Sequence, residues 1–489
     1  MTTTKTGIPQ KFWNTFLLNT WQRECLSIKD SFIHPLINPD ELLSLIVDNW
    51  NLDDDLYKRS RFYIEGKRQK LKKTSLLWPQ KEDKSFYDYN QRIQSIINVQ
   101  EYVLIIDGLK VNGTLWDWTY DFLQNLYKSL GYLNVGHFYS IFYGNYKATP
   151  FGVHDDPNTG AFYFPIIGQK SIRTWTPEFV NRHPKLKKAR EYKEFLEGST
   201  LLEAESGGML YWPSDRWHIG ESKGGDVSIV LATNISNNFV QPLLNFVCDE
   251  IQAVYGNSLR GHLLKIKTRV SIYWSILYEE LHFLYKDSFQ KYFLRIILKL
   301  CNIIISTLLP IKPHKEINTK AFFNPDNLQE SAEQIPEPIH LAAATFEGTV
   351  DSSILEQASI KLWLAGLTSY GFYPLSESQF GSLNEELTLD NYIQLFPKRT
   401  ILWKQVNKNE MIVSVNGLCF SVSSNPIFQN LIKNINSQKI QSIEQLVKIS
   451  SKIAEGNNII EYSLEEVLKF LEILLRYRGI QTIKQENCF

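Results

Sequence analysis

The stretch TPFGVHDDPNTGAFYFPIIGQKSIRTW, Thr149 to Trp175, carries His154 and Asp156 two positions apart. On an extended segment, side chains at i and i+2 project to the same face, so this imidazole and this carboxylate can reach one metal ion while Asp155 points away. A third ligand must come from another strand. His218 in GGMLYWPSDRWHIGES is available, because Gly207-Gly208 opens a strand and Pro213 allows the turn that presents the histidine. Two imidazoles and one carboxylate leave three metal positions open, which suits non-haem Fe(II) and O2 chemistry. The same ligand types also serve zinc hydrolases.

The triplet alone decides little. Nine histidines and 52 acidic residues among 489 make roughly one H-x-[DE] expected by chance. The second one, His314-Lys315-Glu316, sits between prolines without flanking strands and reads as solvated loop. Taken singly, His154 and His218 would each read as a satisfied core histidine. The elements around them favour a site.

From Glu101 the chain runs through short β-prone segments: EYVLIIDGL, HFYSIFYG, GAFYFPIIG, SIRTWTP, GGMLYWPS and DVSIVLATNIS. Antiparallel-length strands punctuated by Gly, Pro and Asn predict a β-sandwich or barrel over 101–237, with a helix at WDWTYDFLQNLYKSLG. Residues 1–100 read as an α-rich segment, part of which packs on the barrel, with helices at FWNTFLLNTW and PDELLSLIVDNW. Residues 238–310 read as a helical bundle offering a homodimer interface, because their apolar positions lie on more than one face. A polar, proline-bearing linker is expected at 311–345, and a helix, a β pair and further helices at 346–489. In the last helix, Ser463 with Glu466 reads as a capping box and Gly479 as a stop.

Composition narrows the function. Lys+Arg and Asp+Glu are both 52, so no global field draws nucleic acid or anionic lipid. The five cysteines form no C-x-x-C pair, which argues against a disulfide framework or zinc knuckle and suits a reducing cytoplasm. No secretory signal is read at the N-terminus. Tyr292 to Ile311 imitates a membrane span, but Arg295 and Lys299 lie inside it, and it reads as a buried helix. Two basic stretches stand out. Tyr57 to Ser75 has eight Lys/Arg against one Glu and reads as a solvated face or mobile loop, the other reading being contact with an acidic peptide or nucleic acid. Asn181 to Phe195, NRHPKLKKAREYKEF, is either a solvent-facing excursion or a grip for an acidic peptide.

The residues HDD at 154–156, FPIIGQKSIRTW at 164–175 and SGGMLYWPSDRWHIGES at 206–222 resemble the JmjC/cupin-like Fe(II)- and 2-oxoglutarate-dependent oxygenases, most of all the bacterial ribosomal-protein hydroxylase type. One departure is Met209 after Gly208, where that family has an acidic residue. The resemblance implies an α+β chain with a double-stranded β-helix (jelly-roll) core, a helical middle domain and a winged-helix-like C-terminal domain. It implies that His154, Asp156 and His218 bind Fe(II), with 2-oxoglutarate and O2 as cosubstrates. Lys170, two after Gly168, matches the family's basic residue for the remote carboxylate of 2-oxoglutarate. A dicarboxylate drawn from water needs such a cation on independent grounds, and Arg173 is the fallback. Similar proteins use groups at the places of Thr149, Tyr139 and Asn234 around the cosubstrate.

The expected activity is hydroxylation of a side chain in a ribosomal protein or ribosomally made peptide, because large accessory domains serve recognition of a polypeptide. No membrane or nucleic-acid partner is expected. Two rivals are a winged-helix DNA-binding regulator that senses a small molecule in its barrel, and a silent scaffold. The absence of a basic recognition helix in SLEEVLKFLEILLRYRG argues against the first.

Overall fold

Strands rich in aromatic and β-branched residues, such as GAFYFPII and DVSIVLATN, are buried along almost their whole length. That requires cover on both faces, and the computed structural model supplies it. The structure describes residues 10–29, 36–52, 56–72, 74–111, 113–235, 239–256, 258, 261, 264, 265, 268, 323–375, 386–454 and 463–484. They are mixed α and β with several antiparallel sheets. The chain divides into two units, one of residues 1–130, 136–236 and 370–383, the other of 131–135, 237–369 and 384–489.

The first unit contains helices α1 (Gln10–Asn19), α2 (Pro39–Leu52), α3 (Leu56–Arg59), α4 (Phe86–Ile97), α5 (Gly113–Leu130) and α6 (Pro177–Arg182). Its strands are β1 (Leu26–Ile28), β2 (Ser60–Ile64), β3 (Lys67–Gln69), β4 (Tyr102–Asp107), β5 (Phe138–Asn145), β6 (Thr159–Ile167), β7 (Gln169–Trp175), β8 (Thr200–Glu205), β9 (Met209–Trp212), β10 (Trp217–Ser222) and β11 (Asp226–Asn234). An eight-stranded sheet runs β1-β9-β6-β11-β5-β4-β2-β3, and a three-stranded sheet runs β10-β7-β8. Alternation assigns the faces. Ala161, Tyr163, Leu210 and Val230 of the large sheet join Ile172, Leu202 and Ala204 of the small one in a single core between them. The opposite face of the large sheet presents Phe162 and Tyr211 to Phe16 of α1, and Phe162 also to Phe122 of α5. Truncating one such buried ring to Ala costs about 3–5 kcal/mol.

The N-terminal region is less helical than its sequence suggested. Residues 60–69, within the stretch read as a solvated face or mobile loop, form the β2–β3 hairpin, and β2 pairs with β4. Its two-residue turn, Glu65-Gly66, has positive φ at both positions, 45° and 72°, the geometry that matches strand twist.

In the second unit, α7 (Val240–Tyr255), α8 (Leu328–Glu333) and α9 (Glu337–Ala344) pack with α10 (Ser352–Ser369), and Lys361 of α10 donates to Glu250 of α7 at 2.6 Å. The expected linker at 311–345 is thus partly structured: α8 and α9 bury Leu328, Ala332, Ile339 and Ala342, because Asn327 caps α8 and Pro336 and Pro338 sit at the start of α9. Strands β12 (Tyr392–Leu395), β13 (Leu402–Gln405), β14 (Glu410–Val415), β15 (Leu418–Ser423), β16 (Gln441–Ser442) and β17 (Ile480–Ile483) form two three-stranded sheets, β16-β12-β17 and β13-β14-β15. The expected β pair is therefore a three-stranded meander. Helices α11 (Pro426–Asn436), α12 (Ile443–Ala454) and α13 (Leu464–Arg476) share its core. Ser463 begins α13 without a side-chain capping bond, and the left-handed residue after the helix is Arg478 rather than Gly479. Most of the bundle expected at 238–310, including Tyr292 to Ile311, lies outside the described residues, as does His314. Among the described residues, no helix is long and apolar enough to cross a membrane.

Candidate metal centre

Residues 147–154 run beside β10 as an irregular strand. Ser222 N donates to Lys147 O at 3.0 Å and Thr149 N to Gly220 O at 2.9 Å. His154 and His218 then exchange both main-chain bonds, at 3.0 and 2.7 Å. This antiparallel pairing sets their rings side by side, with centroids 4.2 Å apart. Asp156, two residues on, brings Oδ2 to 3.6 Å from His218 Nε2. One potential ligand atom from each of the three residues lies within 4.8 Å of the others. Asp155 is not part of this cluster.

The imidazoles are oriented as ligands. His154 Nδ1 lies 3.1 Å from Gly152 O, and His218 Nδ1 lies 3.1 Å from Arg216 O. A carbonyl only accepts, so each Nδ1 carries the proton and each Nε2 keeps a lone pair for a metal. Burial, and then the neighbouring His218, lower the His154 pKa to about 4, so the ring is neutral at physiological pH.

The cluster opens into a cavity of about 760 Å³. Its wall is mostly apolar, with Phe142, Phe151, Tyr163, Ile172, Trp212 and Val230. Gly152 has φ +78°, and a Cβ there would lie 2.6 Å from Lys188 O and 2.7 Å from Ala189 O. The close approach lets the segment between α6 and β8 seal that side: Lys188 N donates to Val153 O at 2.8 Å and Val153 N to Ala189 O at 2.9 Å. Val180 of α6, with Leu186 and Phe195 of this segment, packs on Val153, Trp175 and Ile219.

The other expected residues fall in different places. Thr149 lines the cavity, and its buried Oγ1 has no hydrogen-bond partner. Lys170 is fully buried and is not among the lining residues. Its ammonium donates to Asp226 Oδ2 at 3.0 Å and to the Tyr146 hydroxyl. It stands behind Gly220 of the wall, where a Cβ would be 3.7 Å from Lys170 Cε. Burial lowers its pKa, against the opposing pull of Asp226. Arg173, the fallback, is held by Glu221 at 2.7 Å, also away from the lining. Tyr139 points to the helical side, where its hydroxyl bonds Thr119 at 2.6 Å, while Phe138 and Ser140, of opposite parity, face the cavity. Asn234 ends β11 outside the cavity, its N–H donating to His137 Nδ1 at 3.0 Å.

Sequence reasoning did not find Arg61 of β2. It lines the cavity, pairs with Asp107 Oδ2 at 2.6 Å, and has a buried Nε without a partner. Ser140 donates to the other oxygen of Asp107 at 2.7 Å. The Arg61 guanidinium lies 5.4 Å from the Phe151 ring centre, and that ring stands edge-on to His154 at 4.6 Å. The Glu65-Gly66 turn signal between two β-prone runs was the clue available in the sequence.

No family model matches the chain, and no curated protein matches it. Solved structures with some likeness include the X-ray structure of E. coli ycfD, at 13% identity and TM-score 0.38, covering 96% of this chain and 98% of that one. YcfD, described as a ribosomal oxygenase, in complex with cobalt and succinic acid gives 14% identity and TM-score 0.39, and with cobalt and 2-oxoglutarate 12% and 0.38, each over the same shares of the two chains. At such scores the likeness carries no argument about this chain.

Proposed function

We propose that this chain is an Fe(II)- and 2-oxoglutarate-dependent dioxygenase that hydroxylates a side chain of a protein or peptide. The observation that carries the reading is the convergence of His154, Asp156 and His218 at the wall of a largely apolar cavity, with both Nδ1 atoms tied to carbonyls. From β6 onward the chain crosses between the two sheets of the first unit, with β6, β9 and β11 in the large one and β7, β8 and β10 in the small one, and these facing antiparallel sheets support a jelly-roll core. The β13–β15 meander packed with three helices supports a winged-helix-like domain within 346–489. The absence of basic residues at the start of α13, which opens with Glu465 and Glu466, weighs against a DNA-binding regulator.

His154, Asp156 and His218 would hold the iron, which supplies O2 activation coupled to decarboxylation of 2-oxoglutarate to succinate and CO2, the second oxygen atom entering a substrate C–H bond. The protein's own residues provide the setting. Asp107 orients Arg61, and Ser140 orients Asp107, so that the free Nε is presented to the cavity. Arg61 and Thr149 are the groups we assign to the remote carboxylate of 2-oxoglutarate. Lys170, which the family resemblance favours, already has its charge matched by Asp226. Phe142, Tyr163 and Trp212 keep the site dry, which strengthens each of these polar contacts.

The test is succinate release from 2-oxoglutarate by purified protein with Fe(II) and O2. Wild type is expected to turn over slowly without substrate, and His154→Ala and Asp156→Ala not at all; full turnover in either variant overturns the reading. Arg61→Ala should raise KM for 2-oxoglutarate by about tenfold or more. A rise confined to Lys170→Ala returns the anchor to Lys170.

A further inference from the structure

Two basic stretches that are distant in sequence meet beside the cavity. The β2–β3 hairpin and the residue after it carry Lys67, Arg68 and Lys70, and the segment between α6 and β8 carries Lys185, Lys188 and Arg190. A Cβ at Gly66, in the hairpin turn, would lie 3.3 Å from Arg190 Nη1. All six cations are exposed, and among the described residues none has an ion-pair partner. Lys188 itself lines the cavity, as does Arg61. The main-chain bonds of Lys188 and Ala189 to Val153 hold this basic edge in place beside His154. Carboxylates within the two stretches are Glu65, Glu191 and Glu194, fewer than the cations around them.

Lys188 lines the cavity, Arg190 joins its segment to the hairpin turn, and Arg68 and Lys70 line a second hollow further along the hairpin; unpartnered like charges of this kind repel one another, and that repulsion is relieved when a ligand of opposite sign docks. The chain as a whole has a formal net charge of zero, so the attraction is local to this rim. We propose that the segment acted on is an acidic stretch of polypeptide, whose Asp and Glu side chains engage this rim while a neighbouring residue enters the cavity. This rests on the dioxygenase reading and names its substrate class. The same rim repels a basic polypeptide. Nucleic acid, the other polyanion, is the competing occupant, and the experiment below tells the two apart.

The experiment is fluorescence anisotropy of the full chain with a fluorescein-labelled peptide rich in Asp and Glu, at low and physiological salt. Competitors are a Lys-rich peptide and an oligouridylate of equal length. The acidic peptide should bind, more weakly at the higher salt, and neither competitor should displace it. Affinity should fall about tenfold or more in Lys185→Glu/Lys188→Glu/Arg190→Glu and, independently, in Lys67→Glu/Arg68→Glu/Lys70→Glu. Binding of the Lys-rich peptide, displacement by oligouridylate, or unchanged affinity in both variants overturns the proposal. The wild-type comparison of the three probes decides it even if a variant does not fold. Succinate release without peptide, measured on the same preparation, reports separately on the dioxygenase reading.

Discussion

Lys170 and Asp226 meet at 3.0 Å between Nζ and Oδ2, with side-chain exposures of 0% and 2%. A pair withdrawn from water this completely is stabilising only while both members are present. Lys170→Ala strands the Asp226 carboxylate and should lower stability by about 3–5 kcal/mol. Lys170→Met combined with Asp226→Leu should recover most of that loss. Urea unfolding of the two variants measures both quantities, and equal losses would contradict this account of the pair.

Metal binding should be visible without turnover. A ligand that binds only the folded state at about one hundred times its Kd adds about 2.7 kcal/mol. Co(II), or Fe(II) under anaerobic conditions, should therefore raise the melting temperature of the wild type, and chelation should reverse the rise. His218→Ala should show no such shift. A shift of undiminished size in that variant would place the metal elsewhere.

Gly152 combines φ +78° with backbone oxygens 2.6 and 2.7 Å from the place of a Cβ. Gly152→Ala must therefore push the 183–190 segment off the strand that leads to His154, at a cost of about 1–3 kcal/mol. Limited trypsin digestion should cut the variant faster than the wild type after Lys185, Lys187, Lys188 or Arg190. Unchanged cleavage would mean that this segment is not held by that contact.

Burial pushes the Cys419 thiol up to about 11. In the native protein it should resist alkylation by iodoacetamide at pH 8 and react once the chain is unfolded, as read by mass spectrometry. Its folded pKa is above the ordinary value of 9.0, so the folded state binds the extra proton. The corresponding stabilisation is complete below pH 9 and is lost as pH rises through about 11. In Cys419→Ser, the decline in stability across that window should be smaller.

Many of the strands of the first unit were legible because they are dense in β-branched and aromatic residues between clear turn signals, as in GAFYFPIIG and DVSIVLATNIS. Asp156 could be chosen over Asp155 beside His154 because strand alternation is a local rule, and His218 because its own strand and the Pro213 turn offered a third ligand. The face on which Tyr139 lies was not legible, since alternation separates it from Ser140 without saying which side is the cavity. Asp226 closes off Lys170 from another strand, a pairing that no local pattern announces. Arg61 was hidden by the basic residues around it: their number suggests a solvated stretch, and the turn at Glu65-Gly66 that makes it a hairpin is a weak signal beside them. The structure of α9 was obscured by Pro336 and Pro338, which read as linker but mark its start.

The reciprocal main-chain bonds between His154 and His218 have a consequence for the life of the site. They fix the spacing of two ligands through the peptide backbone, so the template stands whether or not an ion sits in it. On the proposed reading, a metal held there could leave and return without refolding of the chain. On the metal-binding reading proposed above, which metal enters would be set by supply and by coordination preference.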